Sequence, residues 1–561
     1  MIRRNKWFDT IVVLVALLVI NTVAAYFFYR FDFTADKRFT LNEKTKILLK
    51  KNEKPVLITV FLNGELPPAF KRLQAAVSDL LSDYKAYSTA EVKVVFIDPI
   101  AGLNQADQDT VINNLYQQGI EATNLSVKTE AGLTQKLVFP MAIIESDGKQ
   151  IPIKLFQNLE TNGSYEDNIN RSIENLEYTF TSSLKKIVTG SNARIGFTES
   201  NGELSDLQLY DARLTLSNHY VVGRVDLNTI TKAGLDKLNM LVIAKPKQPF
   251  TEAEKYKINY FVLNGGNVLW SIDQVNAELD SLQNRNGQMA TNRNLNLDDM
   301  LFIYGARINY NIIADPSNSA EIPVATGAVG TQNQMQLVPW IYYPILLPDT
   351  VHSVVKKLDG IKSEFPSTVD TIGVKGVQKS YILTTSTFNK VYNVPKLFSL
   401  QMVAEQPDPK MFMSHPQNVA VLLEGSFSSV FAGRPLPAGI ISPYTLATAG
   451  KPGKMIVIGD GDIFKNQVSE TDGSPFPLGF DRYTQRTFGN KALLLNIVDY
   501  FTDNDNLIAL RNKDVKIRLL DKGKIKLEKS RWQFINVVAP LLLLILFATF
   551  QHYYRKYKYA K

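Results

Sequence analysis

The sequence has 561 residues, too many for one compact domain, and its 45% hydrophobic and 21% charged content is typical of folded protein. It contains no cysteine, which excludes disulfides, thiolate metal ligands and cysteine nucleophiles. The formal net charge of +8 is concentrated at the ends, since residues 1–7 and 551–561 carry three and four basic side chains and no acidic ones. A nucleic-acid-binding protein would spread its basic charge over a folded face, so the sequence predicts no nucleic-acid partner.

Each basic tail adjoins an apolar run. The runs at 11–29 and 532–550 have the length of transmembrane helices, for which roughly 17–25 residues are needed. The positive-inside rule places the tails 1–10 and 551–561 in the cytoplasm. The residues between the two runs then lie on the opposite side of the membrane. The sequence therefore predicts a two-anchor protein of the bacterial inner membrane, with both termini cytoplasmic and its bulk periplasmic.

Aromatic and basic side chains flank both runs, as is typical of a membrane interface. The predicted interfacial residues are Trp7, Arg30, Lys37, Arg38, Trp532, Arg555 and Lys556. Two alternatives stay open. The first run could be a cleaved signal peptide, because Val23-Ala24-Ala25 resembles a cleavage site, although the apolar stretch continues through Phe28. The second run could be a buried core helix.

After a membrane-exit segment, residues 30–53, the pattern predicts a first α/β domain over 54–189. Its order is strand, helix, strand, helix, hairpin and helix, which is that of a thioredoxin-like fold. The loop after the first strand, "NGELPPAF", has no cysteine. The domain is therefore predicted to be a binding or spacing module without redox chemistry.

A second α/β domain is predicted over 190–505, with insertions at 274–454. Buried strands alternate with helices, one of which opens with the capping box Thr251 to Glu254, and this order is typical of a doubly wound parallel sheet. Within the insertions, the polar stretch 276–297 predicts an exposed loop. Residues 506–531 are predicted to be a hairpin linker to the second anchor, because 515–529 alternate between apolar and charged side chains.

Several phrases resemble one family in order along the chain: "DFTADKRFTLNEKT", "VLITVFLNGELPPAFKRLQ", "VFIDP", "VIGDGDIFKN" and "GNKALLLNIVDYFTDNDNLIALRNK". The chain is similar to the GldG family, the auxiliary or "substrate-binding" components of gliding-motility ABC transporters. The resemblance implies a separate ABC permease and a separate cytoplasmic ABC ATPase as partners. It also implies that the larger domain is similar to class I glutamine amidotransferases, whose cysteine nucleophile this chain lacks.

The usual signatures of catalysis are missing from the sequence. The nearest phrase to a Walker A motif, "TAGKPGK", lacks the upstream glycine, so ATP hydrolysis must come from elsewhere. The four histidines His219, His352, His415 and His552 follow no ligand or triad spacing. The sequence predicts no catalytic residue, no cofactor and no metal site.

Acidic side chains follow the predicted parallel strands, where doubly wound folds bind ligands. They are Glu199, Glu203, Asp273, Asp460 and Asp462. A site for a divalent cation or for a basic group of a partner is one interpretation. The other is that Asp, Asn and Gly are simply the residues that form turns at strand ends.

Together these observations predict a non-catalytic extracytoplasmic subunit of an ABC-type complex, which the resemblance links to gliding motility or surface-component export. An envelope or motility scaffold without transport is the alternative, and a hydrolase that uses the acidic loops is a third possibility. No oligomeric state or transported substrate is predicted.

Overall fold

The computed structural model describes most of the chain between residues 12 and 559. The described residues are 12–19, 21, 40–117, 120, 122–129, 132–156, 165–189, 193–217, 220–283, 287–329, 332–356, 358–404, 408–412, 415–440, 444, 446, 449–503, 507, 510 and 522–559. Residues 12–19 and 21 are helical, and the rest of the predicted first anchor lies outside the described residues. The chain divides into two compact units, Met1–Lys513 and Asp514–Lys561.

The first unit begins with a small α/β layer. Its elements are α1 (Glu43–Lys51), β1 (Val56–Val60), α2 (Pro68–Tyr87), β2 (Val92–Phe96), α3 (Gln105–Gln117), β3 (Thr123–Thr129), β4 (Gly132–Val138), β5 (Met141–Ser146), β6 (Lys149–Lys154) and α4 (Tyr165–Thr189). Four strands form a sheet in the order β2-β1-β5-β6. The β1–β2 pair is parallel, whereas β1–β5 and β5–β6 are antiparallel.

The core of this layer follows from the helical period of α2. Its buried apolar side chains, Phe70, Leu73, Val77, Leu81 and Tyr84, recur every three or four residues, so they form one face. That face packs in the same hydrophobic cluster as the alternate residues of β1 and the apolar residues of α4. Burying these side chains stabilises the layer by roughly 1.5–3 kcal/mol per large apolar residue.

The rest of the first unit is built on a larger sheet. Its elements are β7 (Arg194–Thr198), α5 (Tyr210–Ser217), β8 (Val221–Val225), α6 (Lys232–Leu235), β9 (Met240–Ala244), α7 (Glu252–Leu263), β10 (Asn267–Ser271), β11 (Val275–Asn276), α8 (Leu279–Gln283), β12 (Gln288–Asn292), α9 (Asp298–Tyr304), β13 (Ala306–Ile308), β14 (Asn311–Ala314), β15 (Ser319–Val329), β16 (Gln332–Pro348), β17 (Ile361–Lys362), β18 (Val369–Thr371), β19 (Val377–Thr384), β20 (Lys390–Asn393), β21 (Lys396–Phe398), β22 (Asn418–Ser428), β23 (Ala449–Ile458), β24 (Phe480–Asp481), β25 (Arg486–Thr487) and α10 (Asn490–Thr502).

This larger sheet has a parallel half and an antiparallel half. Its strand order in the described part of the chain is β15-β16-β19-β22-β23-β10-β9-β7-β8, with β17 paired to β16. The five strands from β23 to β8 are parallel to one another. The strands from β22 to β15 pair antiparallel, and β22 is also antiparallel to β23. The carboxyl ends of β7, β9, β10 and β23 therefore meet at one edge of the sheet.

Both faces of the parallel half are covered, which explains why its strands are apolar throughout. In β9, Met240, Val242 and Ala244 point to a core that contains α10, while Leu241 and Ile243 point to a core that contains α7. The predicted capping box opens α7: Thr251 Oγ1 accepts from the Glu254 backbone N–H, and the Glu254 carboxylate accepts from the Thr251 backbone N–H.

The stretch 276–297 contains more structure than the predicted exposed loop. It includes α8 and β12, and β12 pairs with β11 on one side and β21 on the other. Ala290 of β12 is fully buried. A partner strand more than a hundred residues away, at Lys396–Phe398, stabilises β12, and a local polarity pattern cannot reveal such a partner.

The described part of the second unit is one long helix, α11 (Lys522–Tyr559). Its stretch Glu528–Tyr559 is long and apolar enough to cross a membrane, with a mean hydropathy of 2.2 over the most apolar window. The prediction of a hairpin linker over 506–531 is wrong for residues 522–531, which are helical. Helix propagation adds one hydrogen bond per residue, so the helix extends through Lys, Leu and Glu residues that favour it.

Candidate functional site

Three adjacent strands bring charged residues together at the carboxyl edge of the large sheet. Lys245 directly follows β9, Asp273 follows β10 by two residues, and Asp460 and Asp462 follow β23. Because these strands are parallel neighbours, their following loops meet. Of the five predicted acidic residues, the structure therefore groups Asp273, Asp460 and Asp462.

The centre of the group is the ammonium of Lys245, whose side chain is 1% exposed. Its Nζ lies 3.2 Å from Asp273 Oδ2 and 3.1 Å from Glu278 Oε1, and it contacts Asp462 Oδ2 directly. A second lysine, Lys465, donates to the other oxygen of Asp462 at 3.0 Å. Lys245, Asp273, Asp462 and Lys465 each have an opposite charge beside them, which offsets the cost of burying a charge. We call Lys245, Asp273, Glu278, Asp462 and Lys465 the lysine cluster.

Backbone N–H groups complete the arrangement. Asp273 Oδ1 accepts from Gly461 N at 2.6 Å, and the two oxygens of Asp460 accept from Asp462 N at 2.7 Å and Glu364 N at 2.9 Å. A Cβ at Gly461 would lie 2.7 Å from Lys245 Cγ and 2.9 Å from Asp273 Cγ. The close approach of the strand-end loops therefore requires glycine at position 461.

The electrostatics of the cluster favour charged Lys245 and charged Asp462. Burial lowers the pKa of Lys245, but Asp273, Asp462 and Glu278 outweigh it and hold that pKa well above its ordinary value. Burial raises the pKa of Asp462, but Lys245 and Lys465 outweigh it and hold the pKa far below its ordinary value. Burial, Asp273 and Asp462 raise the pKa of Asp460 well above the usual range, and among the described residues no cation pairs with it.

The spacing of three carboxylates in this group resembles that of a metal site. One oxygen each of Asp273, Asp460 and Asp462 lies within 4.8 Å of the others, a spacing that a divalent ion could bridge. However, the Lys245 ammonium already contacts two of these three carboxylates. The chain thus supplies its own cation at this edge of the sheet, and a metal ion would have to displace it.

The two remaining acidic residues are not among the carboxylates that pair with Lys245 in the described part of the chain. Glu199 accepts from Arg224 Nε at 3.0 Å, and Glu203 accepts from the backbone N–H of Asn201 at 2.6 Å. Sequence reasoning missed Lys245, which is the centre of the group. A signal was present, since Lys245 directly follows the apolar run "MLVIA", and in the structure it has a φ of 54° that non-glycine residues seldom adopt.

The predicted interfacial residues are only partly described. Trp532 lies in α11, is 54% exposed, and donates from Nε1 to Glu528 at 3.0 Å. Arg555 and Lys556 lie in the same helix and are exposed. The other four, Trp7, Arg30, Lys37 and Arg38, lie outside the described residues.

Two protein-family models match this chain. The family described as "ABC-type uncharacterized transport system" matches residues 192–497, which is 306 of the 561 residues and spans the large sheet. The chain belongs to this ABC-type transport family. A domain of unknown function (DUF7088) matches residues 35–145, a range that includes the elements α1 to β4 of the small layer. Membership associates the chain with an ABC-type transport system, and α11 indicates membrane association.

The individual proteins that this chain resembles have low sequence identity to it. An "Uncharacterized protein" of Borreliella burgdorferi is 21% identical over 525 residues, covering 92% of this chain and 89% of that protein. Among solved structures, the mmIFT52 N-terminal domain is 12% identical and covers 56% of this chain and 99% of that one, with a TM-score of 0.31. A TM-score this low supports no argument about fold or function.

Proposed function

We propose that the chain is a non-catalytic auxiliary subunit of an ABC-type transporter, working with a separate permease and a separate cytoplasmic ATPase. The family match over residues 192–497 carries the proposal. The apolar runs 11–29 and 532–550 would both be anchors in the inner membrane. Both tails would then lie in the cytoplasm, and the folded residues between the anchors would lie in the periplasm. The link to gliding motility or surface-component export rests on the resemblance to the GldG family.

The proposal includes two domains between the anchors. For residues 54–189 we propose a thioredoxin-like fold, which the sheet order β2-β1-β5-β6 and its single parallel pair support. For residues 190–505 we propose an amidotransferase-like fold, which the parallel order β23-β10-β9-β7-β8 supports. Neither domain has a cysteine, so the redox and amidotransferase chemistries of these folds are excluded.

A structural role of the lysine cluster supports a non-catalytic function. A general acid or base must reach its substrate, and Lys245 and Asp462 are 1% and 4% exposed. Their charges are also balanced against each other and against Lys465. The hydrolase alternative would need these groups to open toward a substrate, whereas a binding subunit needs them only to fix the loops at the sheet edge.

The test is to purify the tagged full-length chain from its own membranes in mild detergent and identify the proteins that co-purify. We expect a multi-span permease and an ABC ATPase in constant ratio to the bait. A second tagged inner-membrane protein with two anchors is the control for non-specific recovery. Recovery of envelope or motility proteins without any ATPase would contradict the transporter proposal and favour the scaffold alternative.

A further inference from the structure

Two arginines meet at the β8 end of the large sheet. Arg224 lies in β8, and Arg213 lies in α5, the helix that precedes β8. Both contact the same oxygen of Asp206, since Arg213 Nη1 lies 2.5 Å and Arg224 Nε 3.4 Å from Asp206 Oδ1. We call Arg213 and Arg224 the arginine pair. Asp206 belongs to the loop after β7, so the pair lies near the carboxyl ends of β7 and β8, and carboxyl edges are where doubly wound sheets bind ligands.

The two arginines are mostly buried, whereas the carboxylate that they share is not. The side chains of Arg224 and Arg213 are 15% and 28% exposed, and that of Asp206 is 70% exposed. In the described part of the chain, the carboxylate of Asp206 contacts only this arginine pair. Another anion can therefore displace it at little cost, because an exposed ion pair contributes little free energy.

Each arginine of the pair also has a buried nitrogen without a hydrogen-bond partner among the described residues. These atoms are Arg224 Nη1 and Arg213 Nε. The other nitrogens of Arg224 are used, since Nε donates to Glu199 at 3.0 Å and Nη2 donates to the carbonyl of Leu204 at 3.2 Å. A buried donor of a charged group is costly when it has no acceptor. The two unused donors therefore point to an acceptor that the described residues do not supply.

We propose that the arginine pair binds a phosphate group, which replaces the carboxylate of Asp206. A monocarboxylate from solution would offer the two arginines no more than Asp206 already does. A phosphate monoester carries a charge of about −1.5 to −2 at neutral pH and has three accepting oxygens, so one group can accept from both arginines at once. The forked donors of arginine suit this geometry. The proposal does not depend on a role in transport.

The test measures the binding of inorganic phosphate to the purified full-length protein by titration calorimetry, in a non-ionic detergent at fixed ionic strength. We expect saturable binding, which Arg224→Lys weakens roughly tenfold because lysine keeps the charge but lacks the forked donors. Asp206→Asn should instead strengthen binding about threefold, because it removes the competing carboxylate of an exposed ion pair. The two variants thus shift the affinity in opposite directions.

The matched control is Glu470→Gln. Glu470 is also an exposed carboxylate beside a mostly buried arginine, Arg482, and its loss changes the net charge by the same amount as Asp206→Asn. This control should leave the affinity for phosphate unchanged. If Arg224→Lys lowers the melting temperature of the ligand-free protein, the comparison of Asp206→Asn with Glu470→Gln still decides, because both substitutions change exposed side chains.

Two further probes identify the source of the phosphate group. Tighter binding of glycerol 3-phosphate than of short-chain phosphatidic acid assigns a soluble ester, and the reverse order assigns a phospholipid headgroup. The proposal is overturned if neither wild type nor Asp206→Asn binds phosphate saturably at millimolar concentration. It is also overturned if Asp206→Asn and Glu470→Gln raise the affinity equally, since that result would reflect net charge alone.

Discussion

At the scale of single residues, Lys245 shows how a buried charge can be accommodated. Removing an ammonium from water costs several kcal/mol, and only close counter-charges offset it. Asp273, Glu278 and Asp462 supply them from two other loops. The carboxylates depend on Lys245 in the same way. Without its ammonium, the buried carboxylates would outnumber the cations beside them.

We predict that Lys245→Met destabilises the large layer by about 3–5 kcal/mol, the usual cost of removing one partner from a buried ion pair. Methionine is close to lysine in length, so the loss reports the charge rather than the volume. The measurement is a denaturant titration followed by tryptophan fluorescence, since Trp270 and Trp340 are both buried in this layer.

The matched control is Lys247→Met, which changes an exposed lysine two residues further along the same loop. Surface substitutions of this kind usually change stability by less than about 0.5 kcal/mol. If both variants unfold at the wild-type midpoint, the lysine cluster contributes nothing to stability.

At the scale of elements, α4 contacts the large layer and also contacts the start of α1, which lies in the predicted membrane-exit segment 30–53. Glu177 Oε1 accepts from Asn42 N at 2.6 Å and from Thr45 Oγ1 at 2.9 Å, where α1 begins. One residue later on α4, Tyr178 donates to Asp499 of α10. A single helix thus connects α1 to α10, which precedes the chain leading to α11.

We predict a pH-dependent contribution of Asp499 to this junction. Burial raises the pKa of Asp499, but Lys186 and the hydroxyls of Tyr178 and Tyr220 outweigh it and lower the pKa to about 2. The folded state therefore favours the carboxylate. Its stabilisation is complete above the ordinary pKa of 3.8 and is lost as the pH falls toward 2.

The expected result is that Asp499→Asn unfolds about 2 kcal/mol more easily than wild type from pH 5 to pH 8, and that this difference shrinks between pH 4 and pH 2. Stability is measured by denaturant titration at each pH. Asp79→Asn, which changes an exposed carboxylate on α2, is the control and should match wild type throughout. A difference that stays constant down to pH 2 would disprove the assignment.

At the scale of the whole molecule, the absence of cysteine makes the proposed topology directly measurable. Every single-cysteine variant has one reactive thiol in a cysteine-free background. Val351, between β16 and β17, is 77% exposed, and Tyr557, near the end of α11, is 86% exposed. These two positions lie on opposite sides of the membrane in the proposed topology.

We predict that a membrane-impermeant maleimide labels Val351→Cys in intact spheroplasts and labels Tyr557→Cys only after permeabilisation. The reason is that, in the proposed topology, the basic tail 551–561 would be retained in the cytoplasm, whereas the folded bulk would be translocated. Denatured samples of both variants serve as the control for total reactivity. Labelling of both cysteines, or of neither, in intact spheroplasts would contradict a membrane crossing between them.

The sequence by itself determined the elements and much of the sheet edge. The sequence pattern predicted buried strands that alternate with helices, including α7 with its capping box, because a helix or strand buries side chains at its own period. It also predicted that five acidic residues after parallel strands lie at one edge, and the structure groups three of them, Asp273, Asp460 and Asp462, whereas Glu199 and Glu203 are not in that group. The first anchor stays a prediction from composition alone, and the thioredoxin-like and amidotransferase-like folds stay proposals.

Only the tertiary structure decided what those residues do. Lys245 and Asp462 are 217 residues apart, and Tyr178 and Asp499 are 321 apart, so no local pattern connects them. The structure also replaced the end of the predicted hairpin linker, residues 522–531, by the first turns of α11, and part of a predicted loop by β12. In each case the deciding interaction was a distant partner or a cooperative extension, and the free energy of such contacts exceeds that of local preference.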